Sequence, residues 1–124
     1  VKITLISDER LRIEGGAGPL TIEADSAEMV YSPYHMLASG LANCTFSVLH
    51  SWATNAKLPA DDLAVEVTWK FTENPHRVGN MDVLVDWPSL PAERRAAAGR
   101  AATLCSVHKT LEHPPEMSIE VRQP

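Results

Sequence analysis

Ser32-Pro33-Tyr34-His35-Met36-Leu37-Ala38-Ser39-Gly40-Leu41-Ala42-Asn43-Cys44-Thr45-Phe46-Ser47-Val48-Leu49-His50-Ser51-Trp52 contains no charged side chain. The run without Asp, Glu, Lys or Arg extends from Met29 to Ala56, in a chain of which 22% is charged. Ser32 is a good N-cap and Pro33 suits the first helical position. Leu37, Leu41, Cys44, Val48 and Trp52 step by four, three, four and four, which is helical spacing. Ala38, Ala42, Phe46, Leu49 and Ala53 make a second uncharged face. Lys57-Leu58-Pro59 ends the pattern. The stretch reads as a central helix covered on most sides, with a cysteine in its middle. In a small domain a partner chain would help to cover it. Gly40, one turn before Cys44, permits close approach of another backbone or a substrate.

Working outward, residues 2–6, 10–14 and 20–24 alternate apolar and polar positions and read as half-buried strands. Gly15-Gly16-Ala17-Gly18-Pro19 between the last two is a turn signal; it fits neither phosphate-binding fingerprint, and no helix pattern follows it. Asp25 to Tyr31 is a polar connection. After the helix, Leu63, Val65, Val67, Trp69 and Phe71 alternate with polar or small residues, as do Met81, Val83, Val85 and Trp87. The link between these two strands holds Asn74-Pro75 and Gly79-Asn80, so a hairpin is expected. An Ala-rich helix follows at 91–104, small enough to pack tightly on the first, with Arg94, Arg95 and Arg100 on its solvent face. A short helix at about 106–112 ends at Pro114-Pro115. Met117, Ile119 and Val121 predict a closing strand. The order specifies an α+β domain spanning 1–124, an antiparallel sheet with helices on one side.

The composition excludes several functions. With 124 residues and 44% hydrophobic content, the chain can bury a core. A net charge of -5 without a basic block argues against nucleic acid. The charge-free run is long enough to span a bilayer, but Ser32, His35, Ser39, Asn43, Ser47, His50, Ser51 and Asn55 make it too polar for lipid. The opening Val1-Lys2-Ile3-Thr4-Leu5-Ile6-Ser7 lacks the long apolar core and cleavage site of a signal peptide. Two cysteines in an acidic chain of this kind point to the cytoplasm, where a pair is more often catalytic, sensing or metal-binding than structural. Both could also be small buried apolar residues.

Cys44 lies about three turns into its helix, too far from the N-terminus for that helix to lower its pKa. A reactive thiolate there needs a cation or donor from elsewhere in the fold. Cys105 sits at or next to a predicted helix start, with His108 three residues on, and is a plausible attacking or resolving thiol. A disulfide between the two requires Cα atoms about 4.4–6.8 Å apart. Cys44, Cys105, His108 and His113 could together ligate zinc, but the spacing is not that of a zinc motif. His35 and His50 read as hydrogen-bonded core or interface groups. Ser39-Gly40 and Ser47 lack a nucleophile elbow.

Pro33 and Cys44, separated by Met36-Leu37-Ala38-Ser39-Gly40-Leu41-Ala42-Asn43, resemble the cysteine-bearing helix of the OsmC/Ohr family. Cys105-Ser106-Val107-His108 is similar to that family's late Cys-Pro-(Val/Tyr)-His/Ser turn, and the order of elements matches along nearly the whole chain. The resemblance implies the OsmC-like fold and an intertwined homodimer with active sites at the interface. It implies a thiol peroxidase in which Cys44 is peroxidatic and Cys105 resolving, with organic hydroperoxides as substrates and a dithiol as reductant, and no metal or organic cofactor. The family's peroxidases place a Glu directly after the helix-opening Pro, where this chain has Tyr34. They also set an Arg against the thiolate, for which Arg10 and Arg12 are the only N-terminal candidates. Tyr34, His35 or His108 could support the thiol instead. In this respect the chain is closer to the OsmC-like branch, and a non-enzymatic role in binding a small apolar ligand or sensing oxidants is the alternative.

Overall fold

The computed structural model describes residues 2–7, 10–14 and 32–124. The chain divides into two compact units, Val1–Val30 and Tyr31–Pro124. In the first, β1 (Lys2–Ser7) and β2 (Arg10–Glu14) pair antiparallel, with Ile3 opposite Ile13 and Leu5 opposite Leu11. The expected strand at 20–24, the glycine-rich turn at 15–19 and the connection at 25–31 lie outside the described residues.

The second unit begins with α1 (Pro33–Asn55). Ser32 caps it as expected. The Ser32 hydroxyl accepts the His35 backbone N–H at 3.3 Å, and His35 Nδ1 accepts the Ser32 N–H at 3.3 Å. This is a capping box in which an imidazole stands where Glu or Gln usually does. At the far end Lys57 adopts a left-handed φ of 57° and the helix stops.

β3 (Ala64–Thr72) and β4 (Arg77–Asp86) form the expected antiparallel hairpin. Its alternation is visible in burial: Val65, Val67 and Trp69 are half-buried, while Glu66, Thr68 and Lys70 are exposed. The turn, however, is at 73–76, with Asn74 carrying the left-handed φ of 59°. Gly79-Asn80, read from the sequence as part of the link, lies inside β4. There the pairing passes from Lys70–Asn80 to Phe71–Val78, so Gly79 is the extra residue of a bulge. A Cβ at Gly79 would meet the Thr72 side chain at 2.5 and 2.7 Å. The glycine serves close approach rather than a turn.

The Ala-rich helix is shorter than 91–104: a single 3-10 turn (Ala92–Arg94) leads into α2 (Arg95–Ala102). No side chain caps the start of either. The small side chains act as expected: Ala98 and Ala101 are buried, while Arg94, Arg95 and Arg100 are exposed. They join Leu49 and Ala53 of α1, Leu63 and Trp87 in one apolar cluster. Trp52 packs edge-on against Trp87 with ring centroids 6.0 Å apart, and Trp87 Nε1 donates to the Pro59 carbonyl at 3.0 Å, which satisfies its only polar atom. α3 (Ser106–Glu112) occupies the predicted span.

Two expectations change. The closing strand is not formed: residues 114–124 have no regular structure, and Met117, Ile119 and Val121 are 87%, 92% and 87% exposed. Alternation prepares a strand, but a strand needs a ladder partner, and no described strand of this chain pairs with the segment. The described elements cover only part of α1. Its buried positions are Ala38, Leu41, Thr45, Leu49 and Ala53, one stripe, and among the described elements β3, α2 and α3 pack on it. Leu37 and Phe46 are 38% and 36% exposed. His35 and His50 are exposed as well: His35 serves the cap, and His50 stacks on Phe46.

Candidate functional site

The turn between α2 and α3 sets the geometry. Leu104 and Cys105 donate their backbone N–H groups to the Ala101 and Ala102 carbonyls at 3.0 and 3.4 Å. With Ala98 and Ala101 anchored beneath α1, this turn carries the chain back to the middle of that helix. There it delivers Cys105 and the first residues of α3.

A helix begins with backbone N–H groups that have no partner inside it, and here both sulfurs lie at such a start. Cys105 is the N-cap of α3, fully buried, and its Sγ accepts the His108 N–H at 3.4 Å. Cys44, half-buried on α1, lies against the same helix start, where the Ser106 and Val107 backbones favour its thiolate. The Ser106 hydroxyl lies 3.9 Å from Cys44 Sγ, across 62 positions of sequence. Partial burial opposes the Cys44 thiolate. Hydrogen bonds from the Cys105 side chain, the Val107 backbone, and the side chain and backbone of Ser106 outweigh that penalty and hold the thiol below its ordinary pKa. The donors that the middle of α1 cannot provide thus come from the start of another helix. Ser106, which sequence reasoning did not single out, is one of them; its only sequence signal was its place directly after Cys105.

The other residues named from the sequence are placed as follows. Tyr34 packs edge-on against Phe71 at 4.8 Å. His35 caps α1 and meets Trp69 edge-on at 5.0 Å. His108 gives its backbone N–H to Cys105, and its Nε2 lies 2.7 Å from Glu112 Oε1, one turn along α3. His113, exposed, has its Nδ1 3.2 Å from the Lys109 carbonyl. Arg10 and Arg12 lie on β2, and their side chains fall outside the described structure. Among the described residues no group of three or more His, Cys, Asp or Glu is placed to hold a metal ion, and no helix is long and apolar enough to cross a membrane.

Residues of α1, β4 and α3 line an open cleft of about 440 Å³. Leu37, Leu41, Val83 and Leu111 give it an apolar wall, and His108 and Glu112 stand at its polar side. Leu37 and Leu41 precede Cys44 on one face of α1, by the same stepping that marked the helix in the sequence. Next to Cys44, Thr45 is 1% exposed, and its hydroxyl has no hydrogen-bond partner among the described residues.

Residues 26–120 match the family model described as OsmC-like protein. A crystal structure from Psychrobacter arcticus 273-4, named as an osmotic stress induced and detoxification response protein, is 22% identical with a TM-score of 0.61, covering 68% of this chain and 62% of that one. This chain therefore spans less than two thirds of that relative. A redox protein from Lactobacillus casei ATCC 334 is 21% identical with a TM-score of 0.55, covering 90% of this chain and 83% of that one. At these identities the likeness is one of fold. No curated protein matches the chain.

Proposed function

This chain belongs to the OsmC-like protein family, and on that premise we propose that it is a cysteine-based peroxidase that reduces organic hydroperoxides with electrons from a dithiol. The observation that carries the reading is the meeting of two cysteines, distant in sequence, at one helix start, with Cys44 held toward the thiolate. The Cys44 thiolate attacks the terminal peroxide oxygen. The O–O bond breaks, a sulfenic acid forms, and the alkoxide leaves and takes a proton to become the alcohol. The Cys105 thiol then attacks the sulfenic sulfur, releasing water and forming the disulfide, which a dithiol returns to two thiols. Cys44 is thus peroxidatic and Cys105 resolving. The apolar cleft beside α1 would seat the organic part of the substrate. The chemistry calls for no metal or organic cofactor, and for the reducing setting of the cytoplasm.

A homodimer is part of the proposal. The uncovered, uncharged side of α1 and the apolar alternation of Met117, Ile119 and Val121 are surfaces that a second copy would bury. Light scattering should give twice the monomer mass.

The test is intact mass and turnover with cumene hydroperoxide and a dithiol, run beside hydrogen peroxide. Wild type should lose two thiols per chain and turn over, and Cys44→Ser should do neither. A folded protein whose Cys44 stays reduced would overturn the reading. The same cleft supports one alternative, a non-enzymatic protein that binds a small apolar ligand or senses oxidants. Slow, single-turnover oxidation would favour it.

A further inference from the structure

We propose that Ser106 is a positioning residue for Cys44, one of those that favour its thiolate, through its hydroxyl and the N–H with which α3 begins. The assignment rests on Cys44 being the attacking thiol of the reading above. Its geometric basis is independent of substrate: Ser106 Oγ stands 3.9 Å from Cys44 Sγ, and Ser106 is the first residue of α3, whose N–H has no intrahelical partner. The hydroxyl faces the sulfur, and the same residue carries the open N–H of the helix that starts beside it. Both donate to an anion more strongly than to a neutral thiol, so the pair favours the charged form.

The ionisable groups on the packed elements do not take this role. On α3, His108 is paired with Glu112, and Lys109 is exposed. On α2, Arg95 and Arg100 are exposed, and on β3, Glu66 and Lys70 lie on the exposed face. On α1 itself the ionisable side chains besides Cys44 are Tyr34, His35 and His50, all exposed. Among the described residues, the groups that act on Cys44 are Cys105, Val107 and Ser106, which lower its pKa against burial, and none of them is a Lys, Arg or His side chain. Among the described residues, Ser106 offers by hydrogen bonding what a cation beside the sulfur would offer by charge.

The backbone offers a graded test. Cys105 has φ −57° and ψ 125°, the extended region that a following proline requires. Proline is also favoured at the first position of a helix. Ser106→Pro therefore removes both donors without disturbing α3, Ser106→Ala removes the hydroxyl alone, and Ser106→Thr restores it. The readout is the pH dependence of Cys44 alkylation by iodoacetamide, resolved by peptide mass spectrometry so that Cys105 is scored separately. This does not require peroxidase activity. At neutral pH, Ser106→Ala should alkylate roughly two- to tenfold more slowly, the worth of one hydrogen bond. Ser106→Pro should be slower still and Ser106→Thr near wild type, with all profiles converging at high pH, where every thiol is ionised. Superimposed profiles would overturn the assignment, as would a uniform slowing at all pH values, which reports access rather than ionisation. If the profiles separate as expected while wild type fails to consume cumene hydroperoxide, the Ser106 assignment stands and the peroxidase reading falls.

Discussion

The two halves of α1 share a charge-free composition and do different work. From Leu49 to Ala53 the helix is core: both residues are fully buried, packed with Leu63, Trp87, Ala98 and Ala101. From Leu37 to Cys44 it is also a wall: Ala38 and Leu41 are buried, but Leu37 is 38% exposed, Gly40 is open, and Cys44 is half-buried against the start of α3. Freedom from charge near Leu49 is required by burial. Near Cys44 it has another effect, since among the described residues the sulfur's ionisation is favoured by hydrogen-bond donors from Cys105 and the start of α3. One sequence pattern thus covers two physical demands, and only the tertiary partners distinguish them.

The sharpest way to break this division is to delete apolar volume in each half. Leu49→Ala should cost about 2–5 kcal/mol, the range for a fully buried leucine that leaves a cavity. Leu37→Ala should cost under about 1 kcal/mol, because partial exposure limits both the transfer and the cavity contribution. Urea denaturation monitored by circular dichroism gives both numbers. Equal losses would mean that the open half is buried in solution, as a dimer interface along Leu37 would require.

How far each half was legible follows from the same contrast. The bounds of α1 could be read because they are local: Ser32-Pro33 starts it and Lys57-Leu58-Pro59 ends it. The β3–β4 hairpin was legible for the same reason, through alternation. Gly79-Asn80 was misread because a glycine in a bulge and a glycine in a turn look alike until the partner strand is known; here Thr72 decides. The apolar alternation at Met117, Ile119 and Val121 was read as a strand, yet a strand exists only with a partner. In the site, Cys44 and Cys105 were found by residue type, along with the need for a donor from elsewhere. Ser106 was missed because its significance lies in a contact across 62 positions, and a serine after a cysteine carries no pattern of its own.

Thr45 sharpens the boundary between the halves, since it is buried like Leu49 yet adjacent to Cys44. Its hydroxyl has no partner among the described residues. Thr45→Val keeps the shape and β-branching and removes the stranded group, and should stabilise the fold by about 1–2 kcal/mol. The denaturation midpoint should rise with the slope unchanged. A loss of stability would show that the hydroxyl is hydrogen-bonded in solution, which would make this stretch of the helix part of a polar site rather than of the core.

The smallest expected effect concerns how the closed half is fastened, and pH reveals it. Asp62, just before β3, accepts the Ser89 hydroxyl on Oδ1 and the Ser89 N–H on Oδ2, both at 2.7 Å. The clasp ties the start of the hairpin to the segment after it, next to the Trp87–Pro59 hydrogen bond. The Ser89 hydroxyl, helped by its N–H, outweighs desolvation and holds the Asp62 carboxyl below its ordinary pKa. A carboxylate more acidic in the folded state favours folding fully above its unfolded pKa. That contribution fades as pH falls through the lower, folded value. Wild type should therefore lose part of its thermal stability between neutral pH and about pH 3, and Asp62→Asn should lose less over that interval, starting from a slightly lower melting temperature at neutral pH. Because the group is exposed, the difference should be small and should shrink in high salt. The Cys44 alkylation profile should be the same in both proteins. If Asp62→Asn shifts it, the closed half and the thiol site are coupled, and the division of α1 into independent core and site fails.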